Sequence, residues 1–184
     1  MSFLFNKNSH FNLANLATFG NIAAGVLAIY FITHSSFFAG ALFAWIGGAF
    51  DLIDGKIARK YKLSTQFGIQ LDSYADFLSF VIVPPMFIYF AIFNSINDIN
   101  IFIVFVVFVY YVISGLRRLI QFNIEATEGD VQKYFVGVPT PLGGILLFCI
   151  YLLWLTGALS QSFVLLLVVI VGFALNSKIK IKHL

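Results

Sequence analysis

The chain has 184 residues, of which 60% are hydrophobic and only 10% are charged. Soluble domains carry about 25% charged residues, so the composition excludes an ordinary soluble enzyme and is typical of a membrane protein. The net charge is only +3, and we expect no nucleic-acid partner. The single cysteine, Cys149, excludes an intramolecular disulfide.

Six apolar segments approach the length of about 20 residues that a helix needs to cross a bilayer. They lie at approximately 13–33, 37–57, 69–93, 101–120, 138–156 and 159–175. Some connections are only two or three residues long, which makes the flanking helices antiparallel neighbours. The sequence therefore predicts an all-α, polytopic membrane protein with six transmembrane helices, in which residues 1–184 form a single domain. Pro84 and Pro85 remove backbone donors and predict a kink in the third helix.

The basic residues are segregated in this six-helix arrangement. All eleven Lys and Arg residues fall on one side, and the opposite loops carry only Asp98 as a formal charge. Because Lys and Arg concentrate in cytoplasmic loops, we expect an integral plasma-membrane protein with both termini in the cytoplasm. Lys178, Lys180 and Lys182 are expected to form a tail beside anionic lipid headgroups.

Four of the eight acidic residues fall within positions 51–76. Asp51 and Asp54 end the second helix, and Asp72 and Asp76 begin the third. Residues three or four apart share a helix face, and the short connection lets the two pairs face each other. Four carboxylates beside hydrocarbon repel one another and are costly to desolvate, so a counter-ion is expected.

Carboxylate clusters without a nearby His or Cys favour hard divalent cations. We therefore predict Mg²⁺ or Mn²⁺ at the four aspartates, with Ca²⁺ as a third candidate, and two ions per site, because a metal pair suits a diphosphate. Gly55 and Gly68 leave space for a ligand, and Arg59 can offer a planar fork to phosphate. These features indicate a phosphate-handling site at the membrane surface.

The spacing of these residues is D-x2-D-G-x2-A-R-x8-G-x3-D-x3-D, and it resembles the signature of the CDP-alcohol phosphatidyltransferase family. That resemblance implies a six-helix integral membrane enzyme, usually a homodimer among membrane lipids. Such enzymes move a phosphatidyl group from a CDP-diacylglycerol-type lipid to an alcohol and release CMP. The signature positions are Asp51, Asp54, Gly55, Ala58, Arg59, Gly68, Asp72 and Asp76.

The resemblance also implies a role for each position. The first three aspartates would hold metal, and Asp76 would complete the metal site and act as the catalytic base. The expected nucleotide-binding residues are Asp54, Gly55, Ala58, Arg59, Gly68 and Ser73. Direct attack by the acceptor is favoured, because no His or Cys is well placed as a nucleophile, and an aspartyl intermediate remains an alternative.

The flanking sequence bears on the acceptor. The stretch LDSYADFLSFVIVPP resembles LDS-x-AD-x-x-SFG-x-x-P of phosphatidylserine synthases, whereas glycerophosphate-using relatives tend to read LDP-x-AD-K. SGLRRLIQFNIE and YFVGVPTPLGG are similar to two further segments of the serine enzymes, although Gln121 replaces an arginine of the first. L-serine is therefore the predicted acceptor, with glycerol 3-phosphate, inositol phosphate and choline as alternatives.

Polar residues near the cytoplasmic ends of the helices are candidates for binding the acceptor. Arg118 matches an arginine of the family segment, and the other candidates are near it in the sequence or on the first helix. The candidates are Arg118, Arg117, Asn123, Lys133, Thr140 and Asn21. Asn15 and Thr18 are equally compatible with lining the cavity and with bonds between helices.

An ion carrier or channel is the competing class, because six spans and intramembrane acids are compatible with transport. Against it, the carboxylates lie near one face of the membrane and form no relay across it. The sequence therefore favours the enzyme.

Overall fold

A computed structural model describes residues 2–7, 9–94, 99–127, 134–177 and 180–182. Within these ranges the chain is mostly helical, with short connecting loops and two three-residue strands. Helices α1 to α7 cover Leu13–Thr33, Phe37–Lys60, Gln66–Asp76, Val83–Ile88, Ile101–Thr127, Thr140–Leu155 and Gln161–Leu175. A 3₁₀ turn covers Ser2–Phe5, and strands β1 and β2 cover Tyr134–Val136 and Lys180–Lys182.

Every apolar segment predicted from the sequence coincides with helix. Among the described residues, four helical stretches are long and apolar enough to cross a membrane: Leu13–Thr33, Phe37–Lys60, Gln66–Phe93 and Ile101–Ile124. Helices α6 and α7 are apolar but shorter, with 16 and 15 residues. The helical membrane class is confirmed, whereas the count of six spans and the side of each terminus stay predictions.

The third apolar stretch changes its hydrogen-bonding pattern along its length. Helix α3 passes into a π-helical segment, Phe77–Ile82, and α4 is followed by a second, Tyr89–Phe93. Pro84 lies in the first turn of α4 and cannot donate to the carbonyl of Phe80 four residues earlier. The Tyr111 hydroxyl donates to that carbonyl instead, at 3.4 Å. The hydrogen-bonding pattern thus changes beside the two prolines, and the kink expected there stays a prediction.

The chain forms two compact units, residues 1–79 and 80–184. In the first unit, α1 packs along α2 and against α3. In the second, α7 packs against α5 and α6, and α6 also packs against α4. The prediction of one domain over residues 1–184 stays a prediction.

Helix α1 buries two kinds of residue on its packed face. Its first half buries Asn15, Thr18 and Asn21, and its second half buries Gly25 and Ala28. Small residues let helix backbones approach closely in a membrane protein, so the second half packs tightly. The first half instead presents polar groups to its neighbours, and the candidate site lies at this polar end.

The strand pair was not predicted from the sequence. Strands β1 and β2 run antiparallel, with Tyr134 opposite Lys182 and Val136 opposite Lys180. They join the segment before α6 to the segment after α7. Lys180 and Lys182, expected in a tail beside lipid headgroups, therefore lie in a strand.

Close packing of α5 on the first π-helical segment gives a test of the second unit. A Cβ added at Gly115 would lie 2.6 Å from Val81 Cγ1 and 2.8 Å from Cγ2, and Val81 is fully buried. Overpacking of this kind costs about 1–3 kcal/mol. Gly115→Ala should therefore lower the melting temperature of the detergent-solubilised protein. Val81→Ala in the same chain should recover part of that loss, and strictly additive losses would contradict this packing.

Candidate functional site

The four aspartates lie on two consecutive helices of the first unit. Asp51 and Asp54 are on α2, and Asp72 and Asp76 are on α3. The start of α3 is fixed by Thr65, whose Oγ1 accepts a hydrogen bond from the backbone N–H of Gly68 at 3.0 Å. Such a cap satisfies one of the amide groups that a helix leaves unpaired at its start. The sequence therefore sets where α3 begins and which face carries its carboxylates.

Three of the four carboxylates come together. One oxygen from each of Asp51, Asp72 and Asp76 lies within 4.8 Å of the others. The Oδ1 atom of Asp76 is buried and accepts no hydrogen bond from any residue that the structure describes. Two ionised carboxylates at 4.8 Å repel by about 3 kcal/mol at an effective dielectric constant of about 20. A divalent cation fits this arrangement, because it prefers oxygen ligands and would remove the repulsion.

Asp54 has a different environment from the other three aspartates. It is buried, and its Oδ2 accepts a hydrogen bond from Thr18 Oγ1 at 2.8 Å. Thr18 thus joins α1 to α2 by a hydrogen bond beside the cluster. The sequence alone did not decide between this role and lining the cavity. The assignment of Asp54 as a metal ligand stays a prediction, with the Thr18 bond orienting its carboxylate.

A cavity of about 180 Å³ opens beside the cluster within the first unit. Its wall contains most of the predicted nucleotide-binding residues, together with Asp72 of the cluster. The predicted nucleotide-binding residues in this wall are Asp54, Gly55, Ala58, Arg59 and Gly68. Other residues of the wall, which were not predicted to bind the nucleotide, include Asn15, Thr18, Ser64 and Thr65. Ser73 is not part of this wall, and its Oγ donates to the carbonyl of Ile69 at 2.9 Å.

Gly68 permits the close approach of α1 and α3 that forms one wall of the cavity. A Cβ at this position would lie 2.9 Å from Asn15 Oδ1 and 3.3 Å from Thr65 Oγ1. Asn15 is held in place, because its Nδ2 donates to the carbonyl of His10 at 3.0 Å and its backbone N–H donates to Asn12 Oδ1 at 3.0 Å. Gly68 is therefore needed by the protein's own packing, whatever ligand the cavity binds.

Arg59 places a positive charge at the cavity. Its side chain lies beside Gly55, where an added Cβ would be 3.6 Å from Nη1, an ordinary van der Waals distance. A guanidinium presents paired donors to a phosphate. The cavity thus combines a cationic group from α2 with carboxylates that can bind a cation, which is the combination a metal-bound diphosphate requires.

The predicted acceptor-binding residues are distributed over both units. In the second unit Arg118 is buried and its Nε donates to the carbonyl of Val138 at 3.3 Å. Arg117 is exposed on α5, Asn123 is half-buried on the same helix, and Thr140 is buried at the start of α6. In the first unit Asn21 Oδ1 accepts from Ser79 Oγ at 2.6 Å. Lys133 lies outside the described residues.

The metal centre can be tested without any catalytic assay. We expect Mn²⁺ to raise the melting temperature, since a ligand at 100 times its Kd adds about 2.7 kcal/mol of stability. Asp72→Asn should abolish this rise and, in EDTA, should melt above the wild type, because it removes like-charge repulsion. Asp98→Asn changes a carboxylate outside positions 51–76 and serves as the control that keeps the Mn²⁺ response. A wild-type protein that does not respond to Mn²⁺ or Mg²⁺ would contradict the site.

Comparisons with known proteins identify the family of this chain. The CDP-alcohol phosphatidyltransferase pattern matches residues 11–174. A Bacillus subtilis protein named CDP-diacylglycerol–serine O-phosphatidyltransferase is 31% identical over 91% of this chain and 88% of its own length. A Helicobacter pylori protein of the same name is 28% identical, over 90% and 70% of the two chains. An archaetidylserine synthase of Methanothermobacter thermautotrophicus is 29% identical, over 85% and 64%. The chain therefore belongs to the CDP-alcohol phosphatidyltransferase family.

Proposed function

We propose that this protein transfers the phosphatidyl group of a CDP-diacylglycerol-type lipid to the hydroxyl of L-serine, giving phosphatidylserine and CMP. The observation that carries the reaction class is a cavity lined by the family's signature residues beside three clustered carboxylates. Serine is favoured by the names of similar proteins from bacteria and archaea, which match most of this chain. The LDSYADF stretch favours the same acceptor.

The cytidine nucleotide would bind in the cavity of the first unit. Gly55, Ala58 and Gly68 give walls without bulky side chains, and Arg59 would pair with a phosphate oxygen. Ser73 stays a sequence-based candidate for this pocket. Two divalent cations, held by Asp51, Asp72 and Asp76 with Asp54 as the proposed fourth ligand, would neutralise the charge of the diphosphate.

Asp76 is the proposed catalytic base. The serine oxygen attacks the phosphorus that bears the lipid, the bond from that phosphorus to the CMP oxygen breaks, and the serine hydroxyl proton passes to the Asp76 carboxylate. A carboxylate has two oxygens, so Asp76 can serve the metal site with one and accept the proton with the other. Its buried Oδ1, which accepts no hydrogen bond from a described residue, supports this role. We favour direct attack on the lipid phosphorus.

The acceptor would be recognised by its charged groups. Arg118 is a buried cation in a helix that is long and apolar enough to cross a membrane, and such residues are rare without a function. Its planar guanidinium suits the carboxylate of serine. Arg117, Asn123, Thr140, Lys133 and Asn21 are the further proposed contacts.

The site is proposed to face the cytoplasm. All eleven Lys and Arg residues fall on one side of a six-helix arrangement of the sequence, which supports a plasma-membrane protein with cytoplasmic termini. A fluorescent or phosphatase reporter fused after Leu184 would report the side of that terminus. We also propose a homodimer, as is usual in the family, which crosslinking in native membranes would detect.

The base assignment predicts the behaviour of one substitution. Asp76→Asn keeps the size of the side chain but cannot accept the proton, so kcat for CMP release should fall by about 10²–10⁴-fold. The assay measures CMP released from CDP-diacylglycerol in the presence of Mn²⁺ and L-serine. Asp98→Asn is the control expected to keep wild-type activity. Full activity of Asp76→Asn would contradict the role as base.

The same assay tests the acceptor. We expect CMP release with L-serine and little with glycerol 3-phosphate, inositol phosphate or choline. A different preferred alcohol would refute serine transfer while leaving the reaction class intact, and no release with any acceptor would refute both.

Two glycines separate a role in the fold from a role in binding. An alanine methyl at Gly55 makes an ordinary contact in the protein, whereas at Gly68 it meets Asn15 and Thr65 too closely. Gly55→Ala should therefore keep or raise the melting temperature, because Ala favours the helix interior, but should raise KM for CDP-diacylglycerol by about tenfold or more, because its methyl occupies space for the nucleotide. Gly68→Ala should raise this KM and should also lower the melting temperature. An unchanged KM in Gly55→Ala would place the nucleotide elsewhere.

A further inference from the structure

The turn before α6 connects the buried Arg118 to the end of α7. Gly137 and Val138 form this turn, directly after strand β1. The backbone N–H of Val138 donates to the carbonyl of Ala174 at 3.2 Å, and the Val138 carbonyl accepts from Arg118 Nε at 3.3 Å. One residue thus bonds to α7 on one side and to the arginine on the other.

Gly137 allows this turn to lie directly on the backbone of α7. Its φ of +92° is a conformation that other residues rarely adopt. A Cβ at Gly137 would lie 2.7 Å from the carbonyl oxygen of Leu175 and 2.9 Å from that of Ser177. Both of these are backbone atoms, which cannot rotate away as a side chain can. Any side chain at this position would therefore lift the turn off α7.

The end of α7 is in turn fixed to α5. Asn176 Nδ2 donates to the carbonyl of Ser114 at 3.1 Å, one helical turn before Arg118. Strand β2 follows and pairs with β1, bringing Val136 opposite Lys180. These contacts connect α5 to α7, α7 to the Gly137–Val138 turn, and the turn to Arg118 on α5. All of them lie within residues 80–184.

We propose that the C-terminal end of α7, together with strand β2, sets the position of Arg118 through the Gly137–Val138 turn and thereby controls use of the acceptor. Gly137 and Val138 act as positioning residues. The guanidinium is planar, so a bond at Nε fixes the plane in which its other donors lie. This inference rests on the proposed function, in which Arg118 recognises the serine carboxylate.

The experiment compares two glycines that share a positive φ. Gly157 has a φ of +76° and nothing within 4 Å of an added Cβ, whereas Gly137 meets two carbonyls. Gly137→Ala should raise KM for L-serine about tenfold, the size expected when a charge-assisted hydrogen bond is misaligned, and change KM for CDP-diacylglycerol by less than about twofold. Gly157→Ala has similar backbone strain and should leave both KM values at the wild-type level.

A deletion and its control variant test the role of strand β2, and they replace the Gly137→Ala experiment if that variant does not fold. Deletion of residues 180–184 removes β2 and should also raise KM for serine selectively. Lys180→Gln with Lys182→Gln removes the charges but keeps the strand length, and should behave like the wild type. Melting temperatures of all variants identify any general loss of structure.

The outcomes separate the two claims. An active wild type in which folded Gly137→Ala or the deletion keeps the wild-type KM for serine would overturn the positioning role. Equal rises in both KM values would also overturn it, because they indicate a general structural effect. A wild type that releases no CMP with serine would refute the proposed function itself.

Discussion

The structure of the first unit depends on holding like charges together next to apolar helices. Asp51, Asp72 and Asp76 bring carboxylate oxygens within 4.8 Å of one another, where repulsion between ionised groups opposes folding and a bound cation would relieve it. The favourable contacts that oppose this repulsion come from α1, which packs along α2 and against α3. Packing of α1 thus holds together three carboxylates that would otherwise repel one another, in an arrangement that could bind a cation. The proposed metal binding would therefore raise the stability of this unit.

Polar contacts along α1 give this packing its register. Thr18 bonds to Asp54, and Asn21 bonds to Ser79, so side-chain hydrogen bonds join α1 to α2 and to the π-helical segment that follows α3. In hydrocarbon a misplaced polar group has no water to replace its partner. A slip of α1 by one residue would leave these groups unpaired. The bonds therefore select one alignment of the helices, and that alignment forms the cavity.

The sequence predicted the parts of the site that lie close together along the chain. Asp51 and Asp54, and Asp72 and Asp76, share helix faces by spacing alone, and the connection between α2 and α3 is short. Spacing could not show that Asp54 turns to Thr18, because that contact joins residues 36 positions apart. The pairing of β1 with β2 was missed for a similar reason, since each strand has only three residues and its partner is distant in the sequence. The π-helical segments before and after Pro84 were also not predicted, because no local sequence pattern indicates them.

Within the LDSYADF stretch, Ser73 has a structural role in helix α3 that a proline could not have. Where Ser73 stands, glycerophosphate-using relatives tend to have proline. Position 73 lies inside α3, so a proline there would lose its backbone N–H and crowd the carbonyl of residue 69. Ser73 instead keeps the helix and donates its hydroxyl to that same carbonyl. A proline at this position would thus alter the shape of α3 between Asp72 and Asp76. Since both aspartates lie on that helix, a single residue outside the cavity wall can change where their carboxylates lie.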